Sequence, residues 1–347
     1  MRNKIQLPQA SGLLAYGAFK LKNSDPERSE KYLAAAVKTY ILAKNTWETL
    51  SENTKDSPVN KILISPKLLF ADIYIYKLTK NKIYREDMEE RVKDLIECFR
   101  KRVYLQPAYR ANSEYGYFSP NAAINLDFAW VPTFFIEEYP SGSLSEKMKE
   151  SLDIFVKDIK RISSIEPWGQ AMCFEKEGKR PARWPSNRPI SYWSMLSYSL
   201  SRIGKVLNRP DVIELAERQI QWILGYNPFD ISMVHGVGNK FVGGGDFLFS
   251  EPEFYNSFIR SGKKIWFYPG SVPTMAFRGV GGAKIRIFLK NVLWGPITGH
   301  PSGFPPMFIQ PDYPIHPAPT EYSQFQTGNL CSGISSLAEA FSSMKRR

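Results

Sequence analysis

The chain has 347 residues, 43% of them hydrophobic, so it is long and apolar enough to bury the core of one large domain or two ordinary ones. Its net charge is +12, but the charges are scattered and only the tail, Lys345-Arg346-Arg347, forms a run. With no recognition motif beside them, they read as a solvated basic surface and exclude neither a neutral ligand nor catalysis, while nucleic acid is not expected as a partner.

The first helix falls on SGLLAYGAFKL, where Gly12, Ala15 and Gly17 permit close packing. The next begins near Ser24: SDPE has the form of a capping box, with Ser24 as cap and Glu27 reaching back, and Pro26 suits the first turn. Leu33, Val37, Tyr40, Ile41 and Trp47 then recur at helical spacing. Two more helices follow, one marked by Leu69, Ile73, Tyr76 and Leu78, the other running from Tyr84 to Cys98, with Asn81 at the break.

Residues 104–125 are loop-like. LDFAWVPTFFIEEY is apolar almost all round, as a buried inner helix would be, and LSEKMKESLDIFVKDIKRI is amphipathic, as an outer one would be. Residues 163–190 form a second long loop. SYWSMLSYSLSRIGKVL and RPDVIELAERQIQWIL make a further pair. In the latter, Pro210 and Asp211 start the helix, Val212, Ala216, Ile220 and Ile223 line one face, and Gly225 fits the position just past its end. From 226 to 320 Gly and Pro dominate with little periodicity, a length of loop that is usually functional. A last helix runs from about Asn329 to Met344.

Short connections within helix pairs and long loops between them describe an all-α fold, an (α/α)6-type toroid of helical hairpins with its site on the long-loop face. No apolar run nears the roughly 18 residues of a membrane span. Cys98, Cys173 and Cys331 make neither a disulfide framework nor a CxxC site, and His235, His300 and His316 form no HExxH zinc motif. No metal or other cofactor is expected. MRNKIQLPQASG has no apolar signal-peptide core, and the compartment stays open.

Several stretches resemble glycoside hydrolase family 9. Residues 10–45 are similar to its helix pair AAxLAxAxxVFKxxDPxYAxKLLxxAxxxYxFA, and LLFADIYIYKLTKNKIYRED resembles AAAxLYxATGDxxYLxx. AERQIQWILGYNPFDISMVHGVG resembles AxxQIDYILGxNPxxxSFVxGxG, the most specific match. LWGPITGHP resembles LxGALVGGP, and 319–340 fall where the family carries its catalytic NExxxxYNAxxxGALAxL segment.

The resemblance implies a sugar-binding cleft and an inverting mechanism, in which one carboxylic acid protonates the leaving oxygen and a second carboxylate activates water. Glu321 matches the acid, although Thr320 stands where the family has Asn. Gly225, Asn227 and Pro228 match the GxNP turn, with a structural role: a left-handed cap, loop hydrogen bonds and a stop to the helix. His235 then either faces substrate or is an ordinary loop histidine.

The base, an Asp in the family's upstream DAGD motif, has no counterpart in the sequence, and Asp127 is the one local replacement considered. The chain is therefore expected to be a single toroid domain over 1–347 that lacks the first hairpins, completed by a preceding segment or a separate polypeptide. A His-His-Arg cluster of the family is also missing. Arg278 is its substitute or a structural residue. Trp168, Trp184, Tyr192 and Trp193, in or beside the 163–190 loop, are candidate sugar-stacking rings or loop plugs. The expected activity is hydrolysis of a β-linked polysaccharide. The alternatives are a non-catalytic glycan binder, a lyase on the same frame, or a helical scaffold.

Overall fold

The computed structural model describes residues 2–49, 57–105, 126–164, 169, 171, 189–226, 232, 234, 237, 273–274, 321–322 and 324–345. Among them lie nine α-helices: α1 (Arg2–Leu21), α2 (Pro26–Glu48), α3 (Pro58–Thr79), α4 (Lys82–Arg100), α5 (Asp127–Glu138), α6 (Ser143–Ser163), α7 (Pro189–Leu207), α8 (Pro210–Ile223) and α9 (Gln324–Lys345). Two two-residue strands, β1 (Pro273–Thr274) and β2 (Glu321–Tyr322), pair antiparallel.

The chain divides into two units. The first comprises Met1–Arg110, Asn125–Lys157 and Val206–Asn208, and the second the remainder. In the first, α3 is the centre. Its residues Ile64 to Ile75 are all buried, because the helix is apolar on every side. It starts at Pro58, several residues earlier than the apolar spacing indicates, and runs through Pro66.

Small residues let α1 approach α3. A side chain at Gly12 would place its Cβ 2.8 Å from Phe70 Cδ1. Hydroxyls also bridge α1 and α2: Ser11 donates to Ala36 O at 2.9 Å and Ser29 to Ala18 O at 2.7 Å, which satisfies buried groups that would otherwise lose their water. The N-cap of α2 is Asp25, whose carboxylate accepts from Arg28 N, and not Ser24. Asp caps as well as Ser, and Pro26 at the first helical position fixes the start one residue later than the capping box suggests.

Helix α3 ends at Lys80 in the left-handed region (φ 58°), and Asn81 caps α4 by accepting from Ile83 N. The buried stripe of α4 includes Met88, Val92, Leu95 and Phe99. Phe99, Tyr104, Phe128 and Phe155 then pack as one aromatic cluster, with Tyr104 stacked on Phe128 at 5.5 Å. Buried rings of this kind add about 0.5–1.5 kcal/mol per pair beyond their area.

In the second unit, α7 buries a face of hydroxyls, Ser194, Ser197 and Ser201, each 0% exposed. The small face lets α9 come close, and Ser201 shares a 2.7 Å hydrogen bond with Ser336. A Cβ on Gly333 would lie 2.7 Å from the Ser194 carbonyl oxygen and 3.2 Å from Ile220 Cδ1. Backbone cannot yield as a side chain can. Gly333→Ala is therefore expected to destabilise by about 1–3 kcal/mol despite alanine's helix preference. Gly328, in the same helix, has open space at its Cβ, and Gly328→Ala is expected to stabilise by about 0.5–1 kcal/mol. Thermal unfolding of the two variants side by side checks the contrast.

Among the described residues, no helix is long and apolar enough to cross a membrane, and no group of three or more His, Cys, Asp or Glu is placed to hold a metal ion.

Candidate active site

The helix α8 is strongly amphipathic. Val212, Ala216, Ile220 and Ile223 are all buried, as their spacing requires. Its end is a Schellman motif: Tyr226 N donates to Gln221 O at 2.9 Å and Gly225 N to Trp222 O at 3.3 Å, with Gly225 at φ +121°. A side chain at 225 would be strained there, so the glycine is required by the backbone. The exposed Tyr226 follows. Asn227, Pro228 and His235 lie outside the described residues. Val234, just before His235, is buried, and Ser232 Oγ accepts from its amide at 3.1 Å.

Gln219, also on α8, ties down the stretch that begins the 163–190 loop. Its Nε2 donates to Gly169 O at 3.1 Å, and its Oε1 accepts from Ala171 N at 3.0 Å. Sequence reasoning missed this residue. The available signal was a lone glutamine on an otherwise apolar helix face, where a buried amide needs partners.

Trp193 is a correction. It is 1% exposed and meets the fully buried Trp222 edge-on, with centroids 4.6 Å apart. A ring covered in this way offers no face to a sugar, so Trp193 is a core residue. Trp168 and Trp184 lie outside the described residues, and so does the side chain of Tyr192.

Glu321 opens β2. Its backbone pairs with Thr274, and Tyr322 pairs with Pro273, two residues before α9 begins. The described residues include neither its side chain nor Arg278, which follows Thr274 by four positions.

Asp127 is also corrected. It begins α5 but makes no cap. Its Oδ2 is held by Lys67 Nζ and its Oδ1 accepts from Trp130 Nε1 at 3.1 Å, with side-chain exposures of 3% for Lys67 and 9% for Asp127. Each oxygen already has a partner, and the side chain is 9% exposed, which leaves it little access to a water. A carboxylate fixed in a buried ion pair is structural.

A polar recess of about 290 Å³ in the second unit is lined by Lys160, Ser163, Ser164, Asp211, Glu214, Leu215 and Arg218. Hydrogen bonds from Arg209, then from Lys160, hold the Asp211 carboxyl well below the usual carboxylate range. The recess has no aromatic wall and includes none of the candidate residues.

The sequence profile of glycosyl hydrolase family 9 matches residues 7–243. The chain belongs to that family. The match includes Gly225, Asn227, Pro228 and His235 and ends before Arg278 and Glu321. No curated protein matches. Among solved structures, the chain is similar to the cellulase Cel9M of C. cellulolyticum (14% identity, TM-score 0.56, 97% of this chain and 64% of that one). It is similar as well to an endoglucanase of the termite Nasutitermes takasagoensis (12%, 0.57, 98% and 66%) and to a thermostable endoglucanase of Alicyclobacillus acidocaldarius (16%, 0.56, 96% and 55%). The fold class is the all-α, (α/α)6 type of these family 9 enzymes. The chain spans about half to two thirds of their length.

Proposed function

We propose that this family 9 chain hydrolyses a β-linked glucan in the manner of a cellulase, by inversion, with Glu321 as general acid. The family match over residues 7–243 carries the reading, and the likeness to cellulases and endoglucanases supports the substrate class. In this mechanism the Glu321 proton passes to the glycosidic oxygen as the bond from C1 breaks. A second carboxylate takes a proton from the water that attacks C1 from the opposite face. Glu321 needs a dry, aromatic setting to keep its proton near neutrality. The candidate rings Trp168, Trp184 and Tyr192, with His235 and Arg278, would supply contacts to the sugar.

The second carboxylate is the demanding part. Asp127 is held by Lys67 and Trp130, and we assign the base instead to a segment or polypeptide that completes the toroid. The same observation favours one other reading, a glycan binder without hydrolysis. Reducing-sugar release from a panel of β-glucans, hemicelluloses and chitosan, measured beside binding to the same polymers, separates the two. Release from β-glucan is expected. Binding without release from any form of the protein would replace hydrolysis with recognition.

A further inference from the structure

The middle of α3 holds a carboxylate that the glycan-directed reading does not use. Asp72 is 0% exposed, between Ala71 and Ile73, which are equally buried, and neither of its oxygens has a hydrogen-bond partner among the described residues. An unpaired, ionised carboxylate in such a place is strongly unfavourable, and the group responds by keeping its proton.

Its surroundings come from two helices. From α2, Tyr40 lies near enough to Asp72 for the two to interact electrostatically while donating to Asp87 Oδ2 at 2.8 Å, and Lys44 contacts both Asp87 oxygens at 2.7 and 2.8 Å. From α4 come Tyr84, Asp87 and Arg91. The Arg91 side chain is buried, its Nε has no partner among the described residues, and its Nη1 lies 3.6 Å from Glu90 and 3.9 Å from Asp94. The charges that α5 brings to α3, Asp127 and Glu138, are each held by their own lysine, Lys67 and Lys77. On α1, Lys20 sits over the Tyr16 ring. Tyr40, Arg91 and, more weakly, Lys44 favour a negative charge on Asp72, and Asp87 repels one.

We propose that Asp72 is a proton-gated latch on the α2–α3–α4 packing: protonated, it is a neutral core residue, and ionised, it places a bare charge among these helices and loosens them. Burial, aided by Asp87, pushes the Asp72 carboxyl up to about 8, against the pull of Tyr40, Arg91 and Lys44. In the unfolded chain the same group ionises near pH 4. Below that pH both states carry the proton and the latch is neutral in effect. Between about pH 4 and 8 the unfolded chain has released the proton and the folded one has not, so stability falls as pH rises, and the decline ends above about 8.

The test is urea unfolding of the full chain from pH 4 to 9, parent against Asp72→Asn. Asparagine keeps the shape and cannot ionise. The Asp72 contribution should raise the parent's unfolding constant up to about tenfold per pH unit across the window, and the variant should lose that component. The two should be nearest at pH 4 and furthest apart at pH 8, with the variant the more stable. Parallel profiles would overturn the proposal. Should the variant not fold, infrared spectra of the parent with isotopically labelled aspartate decide. A protonated carboxyl band at pH 7 that disappears as the protein is taken alkaline supports the latch, and its absence at pH 7 refutes it.

Discussion

Asp127→Ala is expected to destabilise the first unit by about 3–5 kcal/mol. The Lys67 ammonium is 3% exposed and its partner carboxylate 9%, so solvent screens the pair little. Removing the carboxylate takes the anionic partner from a lysine buried on α3, and Trp130 Nε1 loses its bond to Asp127. The loss measures a buried charge deprived of its carboxylate, not the net worth of the pair. The double replacement Lys67→Met with Asp127→Leu should therefore recover most of it, since well-packed apolar residues often match a buried ion pair. Chemical unfolding followed by circular dichroism reads both. A loss under about 1 kcal/mol in Asp127→Ala would mean that the pair is open to water.

Glu321→Gln is expected to lower turnover on β-glucan by about 10²–10⁴-fold, the usual contribution of a general acid. The amide retains the shape and polarity of the side chain but has no proton of suitable acidity to give. Affinity for a glucan oligosaccharide should stay within a few-fold, because the proton moves only in the transition state. Unfolding should also be little changed: the ladder between β1 and β2 is made by backbone groups. Initial rates and isothermal calorimetry on the parent and variant give the two numbers. Equal turnover in both proteins would remove Glu321 from the acid role.

The helices were legible because each carries its own evidence. In α8, Pro210 at the start, four apolar residues at helical spacing and Gly225 at the end fix the element, and the structure places all six as the sequence indicates. In α1, the small residues Gly12 and Ala15 announced close packing, which the Phe70 contact and the buried Ala15 bear out. Pairings across helices were not legible. Nothing local in Lys67 distinguishes a buried ion-pair partner from a surface lysine, and its mate lies 60 residues away. Trp193 was misread for a related reason: a tryptophan next to a loop looks available until the partner that covers it, Trp222, is known. Helix α9 begins at Gln324, five residues before the sequence suggested, because QFQTG has no apolar period to mark it. The roles of Glu321, His235 and Arg278 rest on resemblance alone, since reactivity depends on three-dimensional neighbours that spacing does not encode.

The serine face of α7 has a thermal consequence. Ser201 turns its hydroxyl to the Tyr198 carbonyl of its own helix at 3.1 Å and shares a bond with Ser336, so the surface that α7 hides is partly polar. Hydrating polar groups lowers the heat capacity of an unfolded chain, whereas hydrating rings such as Phe99, Phe128 and Phe155 raises it. Per unit of buried area, the serine-lined contact thus contributes less curvature to the free-energy profile than the aromatic cluster does. Its share of the stability changes less between cold and warm conditions.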